Sequence, residues 1–390
     1  MERIDRDLID GDIVSCAIFA DLHWGACNLQ RFWSELNDGF FDQLPDDGVD
    51  AIFIAGDLFD MKESFPSETV KYVILFIYRL MSCCQDLFII EGTRGHDSLQ
   101  TRTLELIFSL TEYKETIHIY QRASDIDYCG MKVLFLPEEY VEDASTYYAP
   151  YLGEGVEPYD LIIGHGMIDK VWYAREGEDK LKLNHAVQTP VFSLETLLNH
   201  GTRIYFGHVH ENKNYQERFT YVGPFTRWEY DKEWEPGFYC YTFRVQDGSW
   251  SDMFYPNKYA PIFHTENLSI RQNYSPEILS EKLGKILDLV PQCDGLRIRV
   301  ILDRELSTAS QMKDYISDMV KPYPNVRLVF KYLEPDETKE ETIVTKEPKM
   351  IPQTPEDIRI QEFVKKRRGL DISLERICEV IGYKREENNK

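Results

Sequence analysis

Between Ile13 and Pro256 the chain alternates short runs rich in β-branched and aromatic residues with longer stretches whose apolar positions recur at helical spacing. The short runs predict strands at IVSCAIFA (13–20), DAIFIAG (50–56), DLFIIEG (86–92), KVLFLP (132–137), DLIIGHG (160–166) and TRIYFGH (202–208). The longer stretches predict helices over 31–44, 67–83, 99–111 and about 192–200. Strands separated by helices make a layered α/β domain, here 1–256, and in such sheets ligands gather beyond the carboxyl ends of the strands.

A second region, Asn267 to Leu333, reads strand (LSIRQ), helix (SPEILSEKLGKILDLV), strand (LRIRVIL), polar helix, strand (VRLVFKYL). It predicts a small separate α/β unit within 257–333. The stretch EPDETKEETIVTKEPK, at the head of 334–353, is too charged and too poor in large apolar residues to add a core, and predicts a linker. In the tail, 354–390, Thr354 is a good N-cap with Pro355 at the first helical position. Ile360, Phe363 and Val364 share a helix face before KKRRG, and Leu374, Ile377, Cys378 and Ile381 mark a second short amphipathic helix. Two such helices on a leash want a groove, in this chain or in a partner.

Composition narrows the picture. With 390 residues, 43% of them hydrophobic, the chain can bury a large core. A net charge of −23 argues against holding nucleic acid by a broad basic surface of its own, so a DNA substrate calls for a partner that supplies much of the grip. The N-terminus is charged from its second residue, and the longest apolar run, Val73 to Tyr78, is too short to span a bilayer. Eight cysteines without metal-type pairing fit reduced core residues, and the expectation is a cytoplasmic protein with no membrane contact.

Five fragments put metal-competent side chains just past the ends of these strands: Ala-Asp21-Leu-His23, Gly-Asp57-Leu-Phe-Asp60, Gly92-Thr-Arg-Gly-His96-Asp97, Gly-His165-Gly and Gly-His208-Val-His210. Any one alone is more often a surface loop or a satisfied core histidine. Their coincidence changes the reading. Five of the nine histidines fall in these fragments, leaving His118, His185, His200 and His264 outside, and with Asp21 and Asp57 they converge on one sheet edge. Hydrolysing a phosphodiester requires an activated nucleophile and neutralisation of charge building on the phosphoryl oxygens. Two cations about 3.5–4 Å apart, bridged by one carboxylate, supply both. Asp57, past a central strand, is the natural bridge, and imidazole with carboxylate favours Mn, Fe or Zn over Ca or Mg.

The order Asp-x-His, Gly-Asp, Gly-x-His-Asp, Gly-His, Gly-His-x-His resembles the calcineurin-like metallophosphoesterases. GDLFDMKESFPSETV and YVGPFTRWEYDKEWEPGFYCYTF look like segments of the SbcD-type nuclease subunits of double-strand-break repair and recombination complexes in bacteria and phages. The likeness extends to the small α/β unit, similar to that family's DNA-capping domain, and to the tail, which in relatives docks on the coiled-coil base of an SMC-like ATPase.

This resemblance implies a layered β-sandwich flanked by helices, with a capping α/β domain and a helical tail. It implies a metal-dependent DNA exonuclease, with endonuclease action left open, that uses two divalent ions, Mn2+ first among them. The partners it implies are DNA, the ATPase through 354–382, and a second copy of the chain through helices of the nuclease domain; the compartment is the cytoplasm, the host's if the chain is phage-encoded. Carried over by position, Asp21, His23, Asp57 and His210 hold the first metal, and Asp57, His165 and His208 the second. His96 becomes the residue that stabilises or protonates the departing oxygen, with Asp97 orienting it. In most relatives an Asn directly before this His completes the second site; here that place falls on Gly95 or Thr93, so one ligand is weakened or replaced by a hydroxyl or water.

Arg94 and Arg227 are candidates for phosphate contact. Asp60, also at the substrate side, stands where many archaeal and eukaryotic members carry a His linked to exonuclease action. Tyr221, Phe225, Trp228 and Tyr230 either stack on unpaired bases or pack the second sheet. Two other readings remain: a calcineurin-like phosphatase or phosphodiesterase with a non-DNA substrate, and a scaffold whose metal site has decayed.

Overall fold

In the computed structural model the described residues are 1–63, 67–97, 99–171, 191–230, 234–272, 274–303 and 308–332. The chain divides into two compact units, Met1–Leu333 and Glu334–Lys390, and the second, with the expected linker and tail helices, lies outside the described residues.

The apolar runs become strands because both of their faces are covered. A six-stranded sheet contains, in spatial order, β15 (Trp250–Pro256), β14 (Gly237–Arg244), β2 (Ile13–Phe19), β3 (Val49–Ala55), β4 (Cys84–Ile90) and β5 (Ile117–Tyr120). A seven-stranded sheet contains β1 (Glu2–Ile4), β6 (Ser124–Tyr128), β7 (Met131–Leu136), β8 (Tyr159–His165), β11 (Gly201–Gly207), β13 (Phe219–Tyr221) and β12 (Lys213–Tyr215). A short parallel pair, β9 (Met167–Ile168) and β10 (Val191–Phe192), lies beyond β8.

Alternation along β3 explains the layering. Ile52 and Ile54 face helices α1 (Leu29–Gly39), α2 (Glu68–Met81) and α3 (Gln100–Phe108), whereas Ala51, Phe53 and Ala55 face the other sheet. Phe53, Phe88, Phe135, Leu161 and Tyr205 fill the layer between the sheets. On the far side of the seven-stranded sheet, Ile162, Ile204 and Phe206 pack against α4 (Ala144–Leu152) and α5 (Leu194–His200). The result is a helix–sheet–sheet–helix sandwich. Helix starts follow their caps: Asn28 accepts from Arg31 N at 3.0 Å and Ser67 from Val70 N at 3.2 Å. The helix expected over 31–44 stops at Gly39, and Phe41–Gln43 continues as a 3-10 turn.

One expectation is corrected. The six predicted strands all form, but not as one sheet: β2, β3 and β4 belong to one, β7, β8 and β11 to the other. The candidate residues therefore meet where the carboxyl ends of two sheets converge, and not along a single edge.

The predicted second α/β unit is three parallel strands, β16 (Phe263–Ile270), β17 (Gly295–Leu302) and β18 (Val326–Tyr332). Helices α6 (Pro276–Leu287) and α7 (Ala309–Val320) bury Leu279, Leu283, Met312 and Ile316 on one face of that sheet. Asp294 pairs with Arg31 of α1 at 3.0 Å, and Tyr230 packs on Phe263, joining the unit to the sandwich. The seven described cysteines are free. Among the described residues no helix is long and apolar enough to cross a membrane.

Candidate metal centre

The backbone is unusual where the two sheets converge. Asp21, His23, Asp57 and His208 all have positive φ, between 44° and 88°, a left-handed conformation that costs a non-glycine residue free energy and clusters at functional sites. The strand pairing holds them there: Asp21 N donates to Gly56 O at 3.1 Å and His23 N to Asp57 O at 3.0 Å. The sheets are tied together at the same level by His208 N donating to Asp21 Oδ1 at 2.8 Å and Glu138 N donating to Glu91 O at 3.1 Å. Gly56 and Gly92 form the floor. A Cβ on Gly56 would collide with the His165 ring, and one on Gly92 with Asp57.

Two groups of donors face each other across Asp57. The first is Asp21, His23, Asp57 and His210, with His23 Nε2 2.9 Å from His210 Nε2 and 3.7 Å from Asp57 Oδ2. The second is Glu138, His165 and His208, with His165 Nε2 3.3 Å from the same Asp57 Oδ2. All but His208 and His210 are at most 5% exposed. His165 Nδ1 meets Ala55 O at 2.8 Å, which fixes the ring and turns Nε2 inward, as outer-shell carbonyls do for ligating histidines. Asp21 Oδ2 is buried without a hydrogen-bond partner among the described residues. A buried carboxylate oxygen left so is costly, and a cation answers the cost.

The electrostatics point the same way. Burial opposes ionisation of Asp57, yet the charges and hydrogen bond of His165, with His23, hold its carboxyl well below the usual carboxylate range. Burial likewise opposes a proton on His165, yet Asp57 pushes its imidazole up to about 10. Glu138 is lowered, burial being outweighed by its bond to His208. Carboxylates packed this closely attract positive charge, and a divalent ion supplies it more strongly than imidazolium. The donor set, carboxylate oxygen with imidazole nitrogen, could hold a metal ion.

The chain matches no model of a known protein family and no curated protein.

The remaining expected residues divide. His96 lies beside the first group, its ring 4.8 Å from that of His23 and its Nδ1 on the Asp60 carbonyl. Asp97 was expected to orient that ring, but it does not touch it directly. Its two oxygens accept from Phe59 N at 3.0 Å and Gly92 N at 2.9 Å, so it fixes the loop from which His96 projects. Burial first, then the charge of Asp57, raises its carboxyl to about 7. Asp60 turns its carboxylate to His23 Nδ1 at 3.5 Å and its carbonyl to His96, so it orients both rings. Arg227 is also redirected: its guanidinium donates to the carbonyls of Trp234 and Pro261. Arg94 is exposed and lies over the Tyr140 ring at 4.8 Å.

Of the four aromatics, Tyr221 and Phe225 are core residues, Tyr230 packs on the second unit, and only Trp228 borders the site, 4.9 Å from the His23 ring. The residue that sequence reasoning missed is Glu138. Its signal was available, since it is the acid directly after KVLFLP, the one predicted strand whose carboxyl end was not read for ligands.

Proposed function

We propose that the chain is a dinuclear metal-dependent phosphodiesterase of the calcineurin-like metallophosphoesterase type. We further propose that its substrate is DNA, cut as by the SbcD-type nuclease subunit of a repair or recombination complex. One observation carries the reading: a single oxygen, Asp57 Oδ2, stands within 3.7 Å of His23 Nε2 in one donor group and 3.3 Å of His165 Nε2 in the other. Asp21, His23, Asp57 and His210 would hold one ion, and Asp57, His165 and His208 the other. Bound there, the pair, most suitably Mn2+, would neutralise charge on the phosphoryl oxygens and acidify the attacking water.

The chain's own residues do the rest. Asp57 sets the spacing, the Ala55 carbonyl aims His165, and the Asp60 carbonyl occupies His96 Nδ1. That leaves His96 Nε2 to exchange a proton with the departing oxygen. The helix-free face of β16–β18 supports a DNA substrate. Arg327 and Lys331 are exposed on that face, alternating with core residues along β18, in a chain whose net charge is −23; Arg297 and Arg299 of β17 share the face but are part-buried, Arg297 lying against the Tyr230 ring at 4.3 Å. Leu75, Tyr78, Leu106 and Leu110 are exposed on and just after α2 and α3, as a homodimer through these helices requires. The ATPase partner rests on 354–382 alone.

That net charge favours one second reading, a phosphatase or phosphodiesterase for a non-DNA substrate. Purified protein with Mn2+ is expected to degrade DNA, and Asp57→Asn or His96→Ala to abolish this while the far-ultraviolet spectrum is kept. Retention of nuclease activity in both variants overturns the mechanism. Activity confined to an aryl phosphodiester selects the second reading.

A further inference from the structure

The second donor group is complete without an amide. Glu138 reaches it from the end of β7, a strand that contributes none of the five sequence fragments. Its Oε2 lies 3.0 Å from His208 Nδ1 and 3.7 Å from His165 Nε2. Two ligands at right or tetrahedral angles around one ion, each about 2.1 Å away, sit roughly 3.0–3.4 Å apart, so the His208 distance is that of atoms able to share a cation and the His165 distance lies just beyond it. The Thr93 hydroxyl marks the centre of the group. It is 3.1 Å from Glu138 Oε2, 3.3 Å from Asp57 Oδ2, 3.4 Å from His208 Nδ1 and 3.5 Å from His165 Nε2. Glu138 itself is 5% exposed, and its other oxygen accepts from Tyr140 OH at 2.7 Å, which leaves Oε2 aimed inward.

We infer that Glu138 is a ligand of the second metal ion, and that it supplies from β7 the donor that an amide at the Thr93 or Gly95 position would otherwise provide. The inference rests on the dinuclear reading above and deepens it. Its chemical consequence is an added negative charge: the second ion faces two carboxylates, Asp57 and Glu138, with two imidazoles. That favours a tightly held, oxygen-rich second site over a labile one. The open space at Gly95, where a Cβ would touch nothing, fits a position that holds no donor.

The test is metal stoichiometry and low-temperature Mn2+ electron paramagnetic resonance on the full chain. Wild type is expected to take two Mn2+ with an exchange-coupled spectrum. Glu138→Ala is expected to take one, with the six-line spectrum of an isolated ion and second-site affinity weakened by more than the roughly 10–100-fold that loss of an outer-shell partner costs. Glu138→Gln, whose amide oxygen still ligates, falls between, and it serves if Glu138→Ala does not fold. Adding Thr93→Asn to Glu138→Ala returns an oxygen donor to the same centre and is expected to restore the coupled spectrum, which a merely structural role for Glu138 would not allow. Two coupled ions of undiminished affinity in both Glu138 variants overturn the assignment and leave the dinuclear reading standing. Failure of the wild type to bind two ions overturns both.

Discussion

The six-stranded sheet carries buried acids at both ends of its strands, and the two ends behave differently. At the amino ends, Asp50 and Asp86 are fully buried and fully partnered. Asp50 accepts from Ile9 N, Ser15 N and Oγ, and Gln85 Nε2; Asp86 accepts from Arg6 twice at 2.8 Å, from Tyr128 OH and from His118. At the carboxyl ends, Asp21 keeps an oxygen without a hydrogen-bond partner, Asp57 is ringed by histidines, and the backbone is left-handed at both. Burial of an acid is therefore not what marks a site. Incomplete satisfaction on a strained backbone is.

The contrast can be broken most directly at Asp57. Asp57→Asn is expected to lower phosphodiesterase activity by at least about 10³-fold, since several kcal/mol of transition-state stabilisation pass through the shared carboxylate. Asp86→Ala is expected to do the reverse. It should cost about 1–3 kcal/mol in urea denaturation by removing the acceptor of Arg6, Tyr128 and His118, and leave Mn2+ stoichiometry in the folded protein untouched. A loss of metal from Asp86→Ala would erase the distinction between the ends.

Metal addition sharpens it. Mn2+ at about 100 times its dissociation constant should stabilise the protein by about 2.7 kcal/mol per site, with EDTA reversing the gain. The same increment is expected in Asp86→Ala, and none from the second site in Glu138→Ala. A thermal shift that ignores Mn2+ in the wild type would count against the carboxyl-end site altogether.

The smallest effect concerns a buried acid away from both strand ends, Glu35 of α1. Burial raises its carboxyl above the ordinary value despite bonds from Thr226, Arg31 and Asn257. An acid raised in the folded state keeps a proton that the unfolded chain releases. Its contribution therefore falls as pH rises from the unfolded pKa through the folded one. Glu35→Gln should remove that slope, so that its stability relative to wild type rises as pH climbs above the ordinary carboxylate range. An unchanged slope would show that Glu35 does not carry it.

Strands and helices were legible wherever one period dominates. β2, β3, β4, β7, β8 and β11 lie within two residues of their expected bounds at either end, because a strand covered on both faces must be apolar throughout. Their division into two sheets was not legible, since periodicity records burial and not pairing. The short or polar strands β1, β5, β6 and β12 carry little apolar signal, while β14 and β15, long and rich in aromatic residues, were also not read as strands.

At the site, Asp21, His23, Asp57, His165, His208 and His210 were found by their shared position after strands, and the structure brings them together. Glu138 was passed over because an acid in Leu-Pro-Glu-Glu looks like a solvated loop until the fold sets the end of β7 against β4. Arg227 misled for the opposite reason. A guanidinium near a site suggests phosphate, and only coordinates show it spent on two carbonyls.

The glycine floor has a consequence for how the sequence can vary. Ligands are exchangeable in kind, carboxylate for amide, and can be drawn from different strands. Gly56 and Gly92 are not, because any side chain there fills the space in which Asp57 and His165 meet. In a saturation-mutagenesis survey these two positions, which carry no side-chain ligand, should tolerate fewer substitutions than several of the ligands they support.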